Sequence, residues 1–276
     1  MKIKTLLLAT LLPCFTLTGL AQTNHSNKIA AIVNNNVIST HQLDKQVNLT
    51  KALQAAQGRR PNFPANFDQM VLQNMIQTRL SANFAKQHGI QVPIKNVEQQ
   101  LAQNIAIAKK QGYNLEKVFR DAGFDHDDII QLLTEKDLAS AKPQEITRST
   151  KLSPEEGSHY TKFTYNDYAN LTATQAKEIK TDLENGTSVK QKSTTKTSAY
   201  SNLPKPYQPY FISKKTQDVL GPIDLGTLGT AWHVLQITKE QPTPDYQKAL
   251  LKKVNQAIAN WLQQLKANAY IDIKKS

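Results

Sequence analysis

One residue of this chain, His233, has a type and a setting that could serve chemistry. It lies in the alternating segment WHVLQI, and an imidazole gains or loses a proton near neutral pH. The alternation predicts a β-strand. Because a lone histidine in such a strand is usually a hydrogen-bonded packing residue, we expect burial, with Thr164 or Tyr165 on a neighbouring strand as its partner.

A second group of polar residues, Asp125 to Asp128 with His126 among them, could suggest a metal site. The apolar residues that follow continue an ordinary helical core stripe, and carboxylates are favoured at the positive end of a helix dipole. We therefore interpret the group as a helix cap and expect neither a metal ion nor a cofactor.

The first 21 residues have the pattern of a secretory signal peptide. Lys2 and Lys4 precede an apolar run that ends in small residues at Ala21, which predicts cleavage before Gln22. An uncleaved anchor is the alternative, but Pro13 breaks the run, which is shorter than the roughly 20 residues of a span. The only cysteine, Cys14, falls in this segment, so we expect no thiol chemistry in the exported chain.

The exported chain is strongly basic. Removing the signal peptide lowers the formal charge from +12 to +10. The lysines and arginines are dispersed and accompany no nucleic-acid motif, so we expect no nucleic-acid partner. No later stretch is apolar enough to predict a membrane span, and binding to an anionic surface remains an alternative function.

Periodicity predicts a helical first half and a mixed second half. KIAAIVNNNVIS indicates a hairpin, and helices are expected at about 40–57, 67–88, 95–111 and 124–142. A polar connector is predicted from Pro143 to Ser153, strands at YTKFTYNDY and WHVLQI, and a mobile loop at 188–202. A helix and a short strand close the chain, and we expect that last strand to pair with Ile29 to Val33.

Several segments resemble SurA-type periplasmic chaperones. IAAIVNNNVISTHQL, MIQTRLSANFAKQHGIQV and NWLQQLKANAYIDIK resemble the terminal segments of that family, and LPKPYQPYFISKKTQDVLGPI with WHVLQI resembles a parvulin-type prolyl isomerase domain. The resemblance implies an α+β fold in four parts. These are a signal peptide (1–21), a SurA-like helical domain (28–142), a degenerate parvulin-like domain (153–241) and a carboxy-terminal helix and strand (242–276) that pack on the helical domain.

The resemblance also implies which residues would form an isomerase site. Parvulins place two histidines on the sheet floor with a Cys or Asp nearby; His233 matches the second histidine, and Asn166 is the nearest occupant of the first. The acid or thiol is expected within 188–202, which contains neither. The polar half of the site therefore looks incomplete. The aromatic residues expected to remain near a bound substrate are Tyr207, Phe211 and Trp232.

The function that this resemblance implies is ATP-independent holding of unfolded outer-membrane or exported polypeptides in the periplasm, with the outer-membrane assembly machinery as a further partner. Active prolyl isomerisation is the alternative. Holding requires exposed apolar surface. We expect that surface on the helical domain, from Met70, Met75, Phe84, Phe119 and Phe124, although a core would use the same residue types.

Overall fold

The computed structural model describes residues 28–58, 62–226 and 231–274. The predicted signal peptide, with Cys14, lies outside this part of the chain. The fold consists of two compact units. The first unit contains the chain up to Ile146 and again from Ile258, and the second unit is Thr147–Ala257.

The first unit is mainly helical and has one small sheet. Its elements, two of whose helices continue into the second unit, are β1 (Ile29–Val33), β2 (Asn36–Ser39), α1 (Thr40–Ala56), α2 (Phe67–Gln87), α3 (Ile94–Lys110), α4 (Leu115–Asp121), α5 (His126–Ser149), α9 (Pro244–Ala267) and β7 (Ile271–Ile273).

The small sheet joins the two ends of the chain. Its order is β2-β1-β7, and both pairings are antiparallel. Asn34 adopts a positive φ of 52° in the turn of the hairpin, which asparagine tolerates better than most residues. Its side-chain Oδ1 accepts from the Tyr270 backbone N–H at 2.9 Å, and its own N–H donates to the Tyr270 carbonyl at 2.8 Å. The strand pairing predicted from the sequence is therefore present.

The helices α1 and α5 begin at the predicted caps. Ser39 and Gln42 form a capping box at α1. At α5, Asp125 Oδ1 accepts from the Asp128 backbone N–H at 2.8 Å, and Asp128 Oδ2 accepts from the Asp125 N–H at 3.2 Å. A hydrogen bond from Lys45 is the main reason that the pKa of Asp128 lies below its usual value. These carboxylates act as the helix cap that the sequence predicts.

The polar connector predicted from Pro143 to Ser153 is wrong over most of its length, because α5 continues through Pro143 to Ser149. Side chains bridge the turn around the proline. Gln144 donates to Ser140 Oγ at 3.0 Å, and Lys142 contacts Glu145 at 2.6 Å. A proline removes one backbone donor from a helix, and these local contacts help the helix to continue past it.

Two apolar clusters form most of the core of the first unit. One lies between α1, α3, α4 and α5 around Leu49, Val97 and Phe119. The other lies beneath the small sheet, where Ile38 and Ile76 are almost fully buried and Leu265 of α9 packs beside them. The end of α9 thus shares a core with the elements at the start of the chain.

The second unit combines one antiparallel sheet with short helices. Besides the first part of α9 and the end of α5, it contains α6 (Pro154–Ser158), β3 (Thr161–Leu171), α7 (Ala173–Glu184), β4 (Thr194–Ala199), a 3-10 turn (Tyr200–Asn202), α8 (Gln208–Phe211), β5 (Val219–Asp224) and β6 (Trp232–Pro242). The strand order is β4-β3-β6-β5.

The mobile loop predicted at 188–202 is wrong for its second part. Thr194–Ala199 forms a regular edge strand, β4, which pairs with β3 without a register shift. The segment has almost no apolar residue, so periodicity gives no signal there. Its order comes from backbone hydrogen bonds to β3 and from side-chain bonds across the pair, such as Thr164 to Thr197 at 3.0 Å.

The sheet of the second unit is covered differently on its two faces. On one face, α7 packs through Ala176 and Ile179 against Tyr168 and Val234. On the other face, Phe163 and further buried residues from β5 and β6 meet the aromatic segment 200–211. Together the two units form an α+β protein, as predicted. Within the part of the chain that the structure covers, no helix is both long and apolar enough to span a membrane.

The pairing of β7 with β1 yields a prediction about stability. Ending the chain after Ala269 should remove the hydrogen bonds of β7 and the packing of Ile271, leaving a two-stranded hairpin, which is marginal alone. We expect a loss of about 3 kcal/mol of unfolding free energy for the first unit. Thermal unfolding followed by Trp261 fluorescence in a Trp232→Phe background measures this unit. A chain ending after Lys274 is the control, and equal melting of the two chains would contradict a structural role for β7.

Candidate functional site: a buried carboxylate on the sheet of the second unit

Asp167 is the centre of a polar network inside the second unit. The residue is only 2% exposed. His233 Nδ1 lies 2.7 Å from its Oδ1, while Lys196 Nζ at 2.7 Å and the Tyr207 hydroxyl at 3.3 Å lie next to its Oδ2. A buried carboxylate is costly unless it is paired and hydrogen-bonded, and three donors meet that requirement here.

Strand register brings these groups together. Asp167 is paired with Leu235 on β6, so His233, two residues away, lies diagonally opposite on the same face. On the other side, β4 places Lys196 diagonally opposite Asp167 in the same way. Tyr207 reaches the network from the segment that precedes α8.

Close backbone contact between β5 and β6 supports the strand that carries His233. Gly221 of β5 has a φ of +106°, and a Cβ added there would lie 2.8 Å from the His233 carbonyl oxygen. Only glycine suits this combination of positive φ and proximity. The residue therefore allows β5 to lie directly against the site.

The hydrogen bonds determine where the protons lie. An ionised carboxylate only accepts, so the Nδ1–H of His233 donates to Asp167. The Tyr207 hydroxyl lies 2.8 Å from the same Nδ1 and donates to Asp167 Oδ2. A neutral His233 then has its unprotonated nitrogen at Nε2. The arrangement is an aspartate–histidine pair, in which the carboxylate orients the imidazole.

Burial also changes the acidity of the tyrosines. Desolvation, followed by the negative charge of Asp167, raises the pKa of Tyr207 far above its usual value. The same two causes raise the pKa of Tyr165. Both hydroxyl groups therefore stay protonated through the neutral and mildly alkaline range.

The structure corrects the sequence prediction for His233. Its side chain is 13% exposed, so the expected burial is largely present, but its partners are Asp167 and Tyr207 rather than Thr164 or Tyr165. The side chain of Asn166 does not join it. That residue lies on the opposite face of β3, where its Oδ1 accepts from Thr195 at 2.8 Å, because neighbouring residues of a strand point to opposite faces.

The predicted aromatic residues are divided between the two faces of the sheet. Tyr207 and Phe211 are 3% and 0% exposed and belong to the core, so the structure uses them as packing residues rather than as an open pocket. Trp232 packs with the cluster beneath α7. The predicted site residues thus do not form one cleft.

Asp167 was missed because the acid was expected in 188–202. A usable signal lies in YTKFTYNDY, where Phe163 and Tyr165 alternate on one face and position 167 continues that face. An acidic residue at a buried position of a strand needs a basic or donor partner. His233 on the neighbouring strand is such a partner.

Comparison with known proteins characterises the first part of the chain. Residues 1–123 match the family model of the SurA-like N-terminal domain. The amino-terminal part of this protein is therefore similar to that domain. The match confirms the resemblance to SurA-type chaperones for this part of the chain. No curated protein matches the sequence.

Solved structures similar to this chain include chaperones and foldases. A SurA-like chaperone of Campylobacter jejuni is 14% identical over 91% of this chain and 100% of its own, with a TM-score of 0.34. PrsA of Lactococcus lactis is 15% identical over 90% and 95%, with a TM-score of 0.30. PrsA of Bacillus cereus, a peptidylprolyl isomerase, is 17% identical over 91% and 95%, with a TM-score of 0.26. Scores below 0.5 do not establish a common overall structure.

The first unit contains the five apolar residues that the sequence predicts to face clients. Phe119 is buried in the core of α1, α3, α4 and α5, so it packs inside the unit instead of facing solvent. Phe124 and Met75 are partly buried beside apolar clusters. Met70 is half-buried. Phe84 is also half-buried, and its ring lies between His88 at 3.9 Å and Trp261 at 5.6 Å.

The network around Asp167 predicts a large cost for removing the carboxylate. Asp167→Ala should leave the donors of His233 and Tyr207 without their acceptor and reduce the unfolding free energy of the second unit by about 3 kcal/mol. Urea unfolding followed by Trp232 fluorescence in a Trp261→Phe background measures this change. Asn166→Ala, the neighbouring residue on the opposite face, is the control and should cost less than about 1 kcal/mol. An equal loss of unfolding free energy in the two variants would show that the Asp167 network does not stabilise the second unit.

The raised pKa of Tyr207 predicts a loss of stability in alkali. Because the pKa is higher in the folded protein than the unfolded value near 10, the contribution of the hydroxyl is complete below about pH 10 and is lost as the pH rises further. Unfolding free energy measured between pH 8 and pH 11.5 should therefore fall less steeply in Tyr207→Phe than in the parent chain. Tyr210→Phe, at an exposed tyrosine, should keep the parent slope. Identical slopes for all three proteins would contradict the assigned role.

Proposed function

We propose that this protein is an ATP-independent chaperone that holds unfolded exported polypeptides, among them outer-membrane proteins, in the periplasm. The observation that carries the proposal is the SurA-like N-terminal domain, because SurA-like chaperones bind unfolded polypeptides. Export through a signal peptide at residues 1–21 and contact with the outer-membrane assembly machinery are parts of the same proposal.

The domain division is also proposed. A SurA-like domain at 28–142 is completed by the carboxy-terminal helix and strand at 242–276, and a parvulin-like domain at 153–241 is inserted between them. Support comes from the antiparallel pairing of β1 with β7 and from Leu265, which packs with the core beneath the small sheet. The inserted domain begins after a helix, α5, that runs further than the sequence suggested.

The outer face of the small sheet is the client surface that we propose for the first unit. Ile32, Val37 and Tyr270 lie on this face, since Ile32 is paired with Val37 on one side and with Asp272 on the other. Val37 is 46% exposed and Tyr270 is 61% exposed. Apolar side chains grouped on an exposed sheet can bind the apolar residues of an unfolded chain.

Holding is favoured over isomerisation by the network in the second unit. An isomerase must seat a proline ring in an apolar pocket while polar groups address the twisting amide. Here Tyr207, which the resemblance assigns to the wall of that pocket, is buried in the core, and its hydroxyl is bonded within the Asp167 and His233 network. The Asp167 carboxylate, the Nδ1–H of His233 and the Tyr207 hydroxyl are therefore engaged with one another, which disfavours their contact with a substrate amide.

Aggregation suppression tests the proposal directly. The chain starting at Gln22 should delay light scattering of a urea-denatured outer-membrane β-barrel without ATP. Val37→Ser combined with Tyr270→Ser should require about threefold or more protein for equal suppression, because two exposed apolar contacts are lost. Ile94→Ser, at a position that is 61% exposed on α3, is the matched control and should act like the parent chain.

Two results would contradict the proposal. One is a folded parent chain that leaves client aggregation unchanged while binding anionic vesicles, which would favour an anionic surface as its target. The other is rate acceleration in a protease-free assay on a short X-Pro peptide that His233→Ala abolishes. That outcome would establish the prolyl isomerase alternative. The hydrogen bonds among Asp167, His233 and Tyr207 would then have to break when a substrate binds.

A further inference from the structure

We propose that the free edge of β4 binds an extended acidic segment of polypeptide as an added β-strand. The inference rests on the proposed holding function and names a class of client and the place where it binds. Strand addition gives affinity through backbone hydrogen bonds and specificity through flanking side chains. The edge, its exposure and its charge all support this assignment.

The two edges of the sheet differ in their capacity to accept a strand. β5 forms one edge, and it contains Pro222 and a register irregularity between Leu220 and Ile223; both features obstruct edge pairing. β4 forms the other edge, contains neither proline nor glycine, and keeps an unbroken register with β3 over six residues. The β4 edge is therefore the regular one.

The alternation of hydrogen-bonded and non-hydrogen-bonded pairs between β3 and β4 shows which residues of β4 direct their backbone N–H and C=O groups to the free edge. The Thr164 carbonyl on β3 accepts from the Thr238 hydroxyl of β6 at 3.1 Å, so it points toward β6. Thr197, which is paired with Thr164, is then in a non-hydrogen-bonded pair and directs its own N–H and C=O to the free edge. Thr195, two residues away, does the same. The side-chain bond from Thr197 to Thr164 agrees, because side chains approach most closely in such pairs.

The edge is open to solvent on both faces. Thr194 to Thr197 are exposed, so neither side chains nor backbone in the described chain cover this part of the strand. β-Branched threonine favours an extended backbone. The strand is thus formed in advance, and a partner would not have to order it.

The lysines near β4 determine which kind of polypeptide strand the edge can bind. Residues 185–217 contain six lysines and no acidic residue. Lys190 and Lys192 are exposed and lie within four residues of the start of β4, and Lys196 belongs to the strand itself. Lysines on an edge strand disfavour pairing with a second copy of the same edge, since like charges would meet. The same charges attract glutamate and aspartate in an incoming strand.

Fluorescence anisotropy with short labelled peptides tests the proposal. The chain starting at Gln22 should bind an eight-residue peptide of alternating valine and glutamate and should not bind its valine and lysine counterpart. Lys190→Glu with Lys192→Glu should weaken binding of the acidic peptide about tenfold or more, because two attractions become repulsions. Lys214→Glu with Lys215→Glu, exposed residues that precede the β5 edge, changes the net charge equally and should bind like the parent chain.

A change in the ligand separates strand addition from simple charge attraction without altering the protein. The acidic peptide N-methylated at every residue keeps its charge but has no backbone N–H left to donate along either edge, so its binding should be lost. Equal binding of the methylated peptide, equal weakening by both double substitutions, or binding only to phosphatidylglycerol vesicles would each overturn the proposal.

The outcome is distinguishable from that of the holding function. A chain that suppresses aggregation but does not bind the acidic peptide would overturn the β4 site and leave holding intact. A chain that binds the peptide through β4 but does not suppress aggregation would leave the site intact and overturn holding.

Discussion

Pairing of β1 with β7 is the constraint on which the architecture of the first unit depends. The hydrogen bond between Asn34 and Tyr270 joins residues 236 positions apart, so the chain closes nearly its whole length into one loop. The entropy cost of closing a loop grows only slowly with the length of the loop. Once the second unit has folded inside the loop, fewer flexible residues remain to be ordered when β1 pairs with β7. Burial of Ile38, Ile76 and neighbouring side chains beneath the sheet offsets that cost. The first unit is consequently built from both ends of the chain.

A second constraint acts inside the second unit. A carboxylate in an apolar core must have donors, and Asp167 obtains them from three different segments. The network therefore fixes β4, β6 and the segment before α8 relative to β3. The same hydrogen bonds hold the Nδ1 side of His233 and the hydroxyl of Tyr207 against the buried carboxylate.

Under the proposed holding function, recognition takes place at the surface of the molecule. The small sheet of the first unit has exposed apolar side chains on its outer face, and the sheet of the second unit has a regular, cationic edge. An unfolded polypeptide offers both apolar side chains and unpaired backbone groups. A chaperone that uses both kinds of contact can bind many sequences weakly, as holding requires, because neither contact depends on a unique residue in the client.

The sequence by itself determined the α+β class, most helix boundaries, the hairpin, the caps of α1 and α5 and the pairing of the terminal strands. Periodicity, capping residues and turn residues are local signals, and α2 begins and ends within one residue of its predicted bounds. Tertiary structure decided that α5 passes Pro143, that β4 is a strand, and that His233 is bonded to Asp167 and Tyr207. A polar edge strand has no apolar period, and a buried polar side chain takes whichever donors the folded sheet brings within reach. Such partners are set by proximity in three dimensions, since Asp167 and His233 are 66 positions apart in the chain.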